Sequence, residues 1–295
     1  MKPPSILLLG SIALDTIETL YGKRENLLGG SATYAAISAS QAVNPDLVGI
    51  VGSDFPIEGH KILEKACHSL SDLVIKDGST FRWGGKYHEN GDDRETLFTD
   101  LGVFTDFEPT LSSENRNPDI VFLANIHPQI QLSTLDQCEN KPTVVTDTMN
   151  LWIDTAKDEL SKVLFKTDIL LINESELMDI TSNDDIEQGI REIHSSGPST
   201  VIVKYGSKGS TCYSGDQSFS IGVIPVDKVL DPTGAGDSFG GGLVSALAEG
   251  LTLKEAMIRG TVLASFCIED FGIDGILKAK KEEIETRISF LSSKD

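Results

Sequence analysis

The amino-acid sequence predicts an α/β fold in which helices flank a central, mostly parallel sheet. Two observations carry the prediction: short continuous apolar runs that suit strands buried on both faces, and helix-like segments that separate them along most of the 295 residues. A third feature, a β-rich stretch without a helical stripe, predicts strands outside that sheet.

Taken in order, SILLLG (5–10) is the first strand and 31–42 the first helix. LVGIVG (47–52) follows as a strand and 57–70 as a helix. DIVFLAN (119–125), TVVTD (143–147), DILLIN (168–173) and TVIVKYG (200–206) supply four more strands, with helices expected at 155–165, 174–180 and 184–195. A helix is expected over 239–250, starting near Gly236 or Asp237, because Phe239, Leu243, Val244 and Leu247 recur at helical spacing. From about 78 to 107 the chain is rich in β-branched and aromatic residues, with glycines and an Asn90-Gly91 turn signal. This stretch reads as a small β lid, joined by about 14–26, on a single α/β domain spanning 1–295; a surface hairpin without a role is the competing reading. The acidic stretch 282–295 reads as a solvated helix end or tail.

A formal net charge of −20 opposes nucleic acid or an anionic membrane as main partner. The opening MKPPSILLLG has an apolar run of only five residues, too short for a secretory core. No later stretch approaches the roughly 20 residues that span a bilayer, so a cytoplasmic protein is expected. Cys67, Cys138, Cys212 and Cys267 form no CxxC pair and read as reduced core thiols.

In parallel sheets ligands collect beyond the carboxyl ends of the strands. Residues near those ends are Asp15, Asp147, Asn150, Asn173, Glu176, Gly206 and Gly209. The most distinctive stretch is DPTGAGDSFGGG (231–242), small residues at a helix N-terminus followed at once by an acid. There the free N–H groups of Gly234, Ala235 and Gly236 can face an anion, and the helix dipole adds about 0.3–1 kcal/mol. The spacing departs from the dinucleotide GxGxxG fingerprint, and no GxxxxGK[ST] is present. An aspartate beside an anion hole repels a resting phosphate but suits a base that takes a proton from an attacking nucleophile. On this segment alone, Asp237 reads equally as such a base or as a helix-capping residue.

DPTGAGDSFGGG resembles the DTxGAGD signature of the ribokinase-like, or PfkB, carbohydrate kinases. LLGGSATYAAISAS (27–40) is similar to the family's Gly-Gly signature, and Asn173 and Glu176 in NESE match its NxxE motif. GSIALD (10–15) resembles its first strand and turn, and VKYGSKG (203–209) the strand and turn beside the nucleotide. The resemblance implies a three-layer ribokinase-like fold with a β lid, and ATP-dependent phosphorylation of a hydroxymethyl group on a small sugar or sugar derivative. It implies Asp237 as base and Gly234, Ala235 and Gly236 as the anion hole. Asp15, Gly29, Gly30 and, by position, Tyr34 would meet the acceptor. Asn173, Glu176, Lys204, Gly206 and Gly209 would serve ATP, with Mg²⁺ on Glu176 through water, and Asp231 and Thr233 match positions that hold potassium in some members.

Two departures bear on the acceptor. Tyr34 replaces an asparagine that reads sugar hydroxyls, and the common DPN appears as DTMNLW (147–152), which leaves Asn150 without an assigned role. Arg82, Lys86 and Arg94 in the lid suit an acidic or phosphorylated acceptor, or are merely solvated. A nucleoside kinase of the same fold is the alternative, for which Tyr34, Phe81 and Trp83 are candidate base-stacking residues. A sensor that binds a sugar or nucleotide without chemistry is the reading from another class. The exposed edges of the lid suggest a homodimer.

Overall fold

The computed structural model describes residues 4–88 and 94–294, so the Asn90-Gly91 turn lies outside the described residues. In chain order the strands are β1 (Ile6–Leu9), β2 (Ala13–Thr19), β3 (Gly22–Gly29), β4 (Asp46–Gly52), β5 (Ser69–Lys76), β6 (Phe81–Tyr87), β7 (Arg94–Asp100), β8 (Ile120–Leu123), β9 (Thr143–Asp147), β10 (Ile169–Asn173), β11 (Thr200–Lys204), β12 (Ser210–Ser214) and β13 (Gln217–Ile221). The α-helices are α1 (Ser31–Ala39), α2 (Ile57–Ala66), α3 (Pro128–Leu135), α4 (Asn150–Thr155), α5 (Lys157–Phe165), α6 (Glu174–Thr181), α7 (Ile186–Ser196), α8 (Ala235–Ala248), α9 (Leu253–Cys267), α10 (Asp274–Lys278) and α11 (Lys281–Ser292).

The large sheet runs β13-β12-β11-β10-β9-β8-β1-β4-β5 and is parallel from β11 to β5. The continuous apolar runs follow from helices on both faces. Leu8, Phe122, Leu171 and Ile202 join the core under α1, α8 and α9. Their neighbours Leu7, Val121, Leu170 and Val201 pack into the cores on the other side. A second sheet, ordered β3-β2-β6-β7, stands apart from the first.

The differences from expectation have local causes. The helix expected over 57–70 stops at Ala66, and β5 begins at Ser69. The helix expected over 155–165 is α5, from Lys157 to Phe165, and a further short helix, α4, precedes it and ends at Thr155. Strands β12 and β13 form a polar edge hairpin, STCYS and QSFSI, which carries no continuous apolar run and is exposed mainly along β13. Helix α9 begins with a Thr252–Glu255 capping box and is buried on most sides. The C-terminal segment is no tail: α11 buries Ile284 and Leu291 against the core.

Helices α1 and α8 touch backbone to backbone. A Cβ on Gly241 would stand 2.1 Å from the carbonyl oxygen of Ala35, which explains the glycine run inside α8. All four cysteines are free. No helix among the described residues is long and apolar enough to cross a membrane.

Candidate active site

Helix α8 starts later than the chain's turn. Gly234 occupies the cap position at φ 76°, in the left-handed region, and Ala235 donates to Pro232 O at 3.3 Å. The first bond of the helical ladder is Ser238 N–H to Gly234 O at 2.8 Å. The amide of Gly236 therefore precedes the ladder and is available to an anion, whereas that of Ala235, expected beside it, is taken by Pro232 O and that of Asp237 by its own carboxylate. Asp237 is only partly exposed on this first turn. Burial raises its carboxyl to about 7, with Asp147 adding to the rise while Lys204 and Arg94 oppose it.

The ends of β9, β10 and β11 bring further charges to the turn. Lys204 donates to both Asp147 oxygens at 3.1 and 3.2 Å, and its ammonium lies 3.2 Å from where a Cβ on Gly236 would be. Burial works against that ammonium, but Asp147 and Glu176 outweigh it and hold Lys204 above its usual range. Glu176 and Asn173 close a capping box: Asn173 Oδ1 accepts from Glu176 N–H at 2.9 Å, and Glu176 Oε2 accepts from Asn173 N–H at 2.8 Å. Burial raises the Glu176 carboxyl to about 7 against the pull of Lys204.

Asp15 enters from the second sheet. It is 3% exposed, and a Cβ on Gly29 would fall 1.9 Å from its Oδ2, so the carboxylate lies against the Gly29-Gly30 turn that opens α1. Burial raises Asp15 to about 8, the Gly30 amide opposes that rise, and Asp231 and Asp237 add to it. Asp15 and Asp237 are thus electrostatic neighbours although 222 residues separate them in the 295-residue chain.

Beside the turn opens a cavity of about 730 Å³. Lys204, Gly206, Gly209, Ala235 and Gly236 line its inner end, and Val223, Ile224, Val229, Phe239, Ala264 and Ile268 its apolar walls, with Asp227 and Lys228 among the lining.

Not every expected residue keeps its expected place. Tyr34 is 1% exposed, and its ring lies under Gly234, so it offers no face to a base. Phe81 stacks on Phe104 at 5.5 Å, and Trp83 is covered by Gly85 on one side and Arg94 on the other. Asn150 donates to Asp179 at 2.6 Å, away from the turn. Arg82 is tied to Asn26 and Asp54, and Lys86 to Glu18. Asp231 is fully buried and accepts the N–H groups of Thr233 at 2.9 Å and Gly272 at 2.8 Å, while Thr233 Oγ1 donates to Tyr87 at 3.1 Å.

Sequence reading assigned no role to a group beyond β8. Ser31 Oγ donates to Asn125 O at 2.8 Å, Trp152 Nε1 donates to Asn125 Oδ1 at 2.8 Å, and His127 meets the Trp152 ring edge-on at 5.0 Å. Ser31 follows Gly30, so this aromatic wall lies one step from Asp15.

A parallel sheet that delivers a carboxylate, a lysine and a glycine helix turn to one cleft defines an α/β phosphotransferase. The description "pfkB family carbohydrate kinase" matches residues 6–279. The chain belongs to that family, with the ribokinase-like fold, and is an ATP-dependent kinase acting on a hydroxyl group. A cytidine kinase of Thermococcus kodakarensis is 28% identical over 272 residues, covering 90% of this chain and 97% of the relative. Two solved structures share the fold. Burkholderia thailandensis nucleoside kinase in complex with inosine has a TM-score of 0.81 at 19% identity and covers 98% of this chain and 99% of its own. A putative ribokinase II from E. coli in complex with ATP and Mg²⁺ has a TM-score of 0.79 at 18% identity and covers 97% and 99%.

Proposed function

We propose that the protein transfers the γ-phosphoryl group of ATP to a sugar hydroxyl of a nucleoside. The observation that carries the reading is the position of Asp237, on the first turn of α8 next to Gly236 of the 730 Å³ cavity's wall and in electrostatic contact with Asp15. The cavity has the size and apolar walls of a nucleotide site, and its inner end meets the Gly234–Gly236 turn. In this reading Asp15 and the Gly29-Gly30 turn orient the acceptor. As its oxygen attacks the γ-phosphorus, its proton passes to Asp237, and the bond from that phosphorus to the bridging oxygen breaks, with the electron pair leaving on ADP. The amides at the start of α8 stabilise the charge on the moving group.

Mg²⁺ supplies charge neutralisation on the phosphates. Glu176 and Asp147 are the residues that would hold its water shell: they are hard oxygen donors, and a magnesium ion keeps several waters. Asp231 keeps lone pairs beyond the two N–H bonds it accepts, and a potassium ion would use these. Rates in potassium and in tetramethylammonium buffers test that part. The second sheet acts as a lid over the acceptor, and the exposed edge of β7, with Leu97 and Phe98 each 42% exposed, pairs with a second copy. Sedimentation measures that pairing.

The acceptor class rests on two supports. Arg82 and Lys86 are already ion-paired, which leaves little to bind a phosphorylated sugar. Asn125, His127 and Trp152 offer the amide and ring groups that read a base, and the cytidine and nucleoside kinases among the relatives favour the same class. ADP formation from Mg-ATP across nucleosides, free sugars and sugar phosphates tests the proposal, with Asp237→Asn as control. Turnover with nucleosides that is lost in the variant supports it. Turnover confined to sugars or their phosphates overturns the acceptor, and binding without turnover on any compound overturns the kinase chemistry.

A further inference from the structure

The carboxylates of Asp15, Asp147, Glu176 and Asp237 gather in one cleft, and the lysine among them, Lys204, is bound to Asp147 at 3.1 Å. A nucleotide triphosphate adds more negative charge to this cleft, so a further cation is needed where charge builds during transfer. Of the three basic residues expected in the lid, Arg82 and Lys86 are paired with Asp54 and Glu18. Arg94 is placed differently. It sits directly across from Tyr87 in the β6–β7 ladder, its guanidinium lies 5.2 Å above the Trp83 ring, and it hydrogen-bonds Tyr87. Tyr87 and Trp83 both belong to the apolar cluster with Ile17 and Phe271, and Tyr87 lines the large cavity. The Tyr87 hydroxyl also accepts from Thr233, the residue before the glycine turn. A path of direct contacts therefore runs from Arg94 to the start of α8. Its charge is felt there as well, since it draws down the carboxyls of both Asp237 and Glu176.

We propose that Arg94 is a catalytic residue whose guanidinium, seated on Trp83 and Tyr87, contacts the transferring phosphoryl group from the inner face of the second sheet. This rests on the kinase chemistry proposed above. Its planar fork of donors suits two phosphoryl oxygens at once, which a lysine cannot match. Trp83 and Tyr87 then serve to position the arginine rather than to bind a base.

The test compares Arg94→Ala, Arg94→Lys and, as control, Lys86→Ala. Arg94→Ala lowers kcat by about 10²–10³-fold with the KM for the acceptor little changed, lysine restores only part of it, and added guanidinium ion revives the alanine variant but not the native enzyme. Lys86→Ala keeps the native rate. Calorimetry supplies a readout independent of the acceptor: aluminium fluoride tightens Mg-ADP binding to the native protein, and that tightening is lost in Arg94→Ala. Absence of turnover with nucleosides would count against the acceptor alone. Equal tightening in both proteins, or an unchanged kcat in Arg94→Ala, overturns the role of Arg94.

Discussion

Gly234 lies on the ring of Tyr34: a Cβ at Gly234 would stand 2.3 Å from the ring atoms Cγ and Cδ1. Gly234 also holds φ 76°, so both the space and the backbone demand glycine there. Tyr34 is thus the floor that sets the height of the glycine turn. Gly234→Ala should cost roughly 2–4 kcal/mol, from left-handed strain and overpacking together. At Gly236 a Cβ meets only the Lys204 ammonium at the tip of its long side chain, at 3.2 Å. Gly236→Ala should leave the melting temperature nearly native yet depress kcat, because its methyl group intrudes on the proposed phosphoryl site. Thermal unfolding with steady-state rates on the two variants checks the contrast.

The raised carboxyl of Asp237 has a kinetic consequence. With a pKa of about 7, the proposed base would be protonated and idle in mild acid and become competent as pH rises through neutrality. The kcat/KM should therefore climb between about pH 6 and 8. Asp237→Asn should lose about 10²–10⁴-fold in kcat, abolish that limb and still bind ATP. A pH profile that is flat in the native enzyme would remove Asp237 as the titrating base.

Asp15 makes the corresponding statement about stability. Its folded pKa of about 8 lies above the ordinary value of 3.8, so between those values the folded protein holds a proton that the unfolded chain has released. Stability then falls as pH rises across that window, the reverse of a salt-bridged carboxylate. Glu176 and Asp237, both near 7, act in the same direction. Asp15→Asn should add about 1–2 kcal/mol at pH 8, with little gain at pH 4, and should raise the KM for the acceptor. Melting curves of the unliganded protein at the two pH values decide it.

How much of this was legible in the sequence differs from element to element. Strands β1, β8, β10 and β11 announce themselves because burial on both faces leaves no polar position to interrupt the run. The β12–β13 hairpin and α9 do not: the first is an exposed edge, and the second is covered on too many sides to show a stripe. At the site, the spacing of Gly234 to Asp237 and of Asn173 to Glu176 is local and readable. The Lys204–Asp147 pair spans 57 residues, and the fate of Tyr34 depends on Gly234, a glycine 200 residues away. Only the register of the sheet and the approach of α1 to α8 decide such pairs. Arg82, Lys86 and Arg94 are indistinguishable as letters, and differ through the partners the fold sets beside them: Asp54 after β4 for Arg82, Glu18 on β2 for Lys86, and the Trp83 ring for Arg94.

Trp152 gives the sharpest test of acceptor identity. Its indole N–H is held by Asn125 Oδ1 at 2.8 Å, its edge is braced by His127 at 5.0 Å, and Asn125 is tied through its carbonyl to Ser31, next to the Gly29-Gly30 turn. The ring is therefore fixed in orientation before any ligand arrives, which lowers the ordering cost of stacking. Loss of a base–aromatic stack costs about 1–3 kcal/mol. Trp152→Ala should accordingly raise the KM for a nucleoside by roughly 5- to 150-fold at nearly constant kcat, because stacking is uniform binding, present equally before and during transfer. Trp152→Phe keeps a face for the base but loses the bond to Asn125, and should fall between the two. If the KM for the nucleoside is native in Trp152→Ala, the base lies elsewhere in the cleft; if free ribose suffers the same rise, the ring serves the sugar rather than the base.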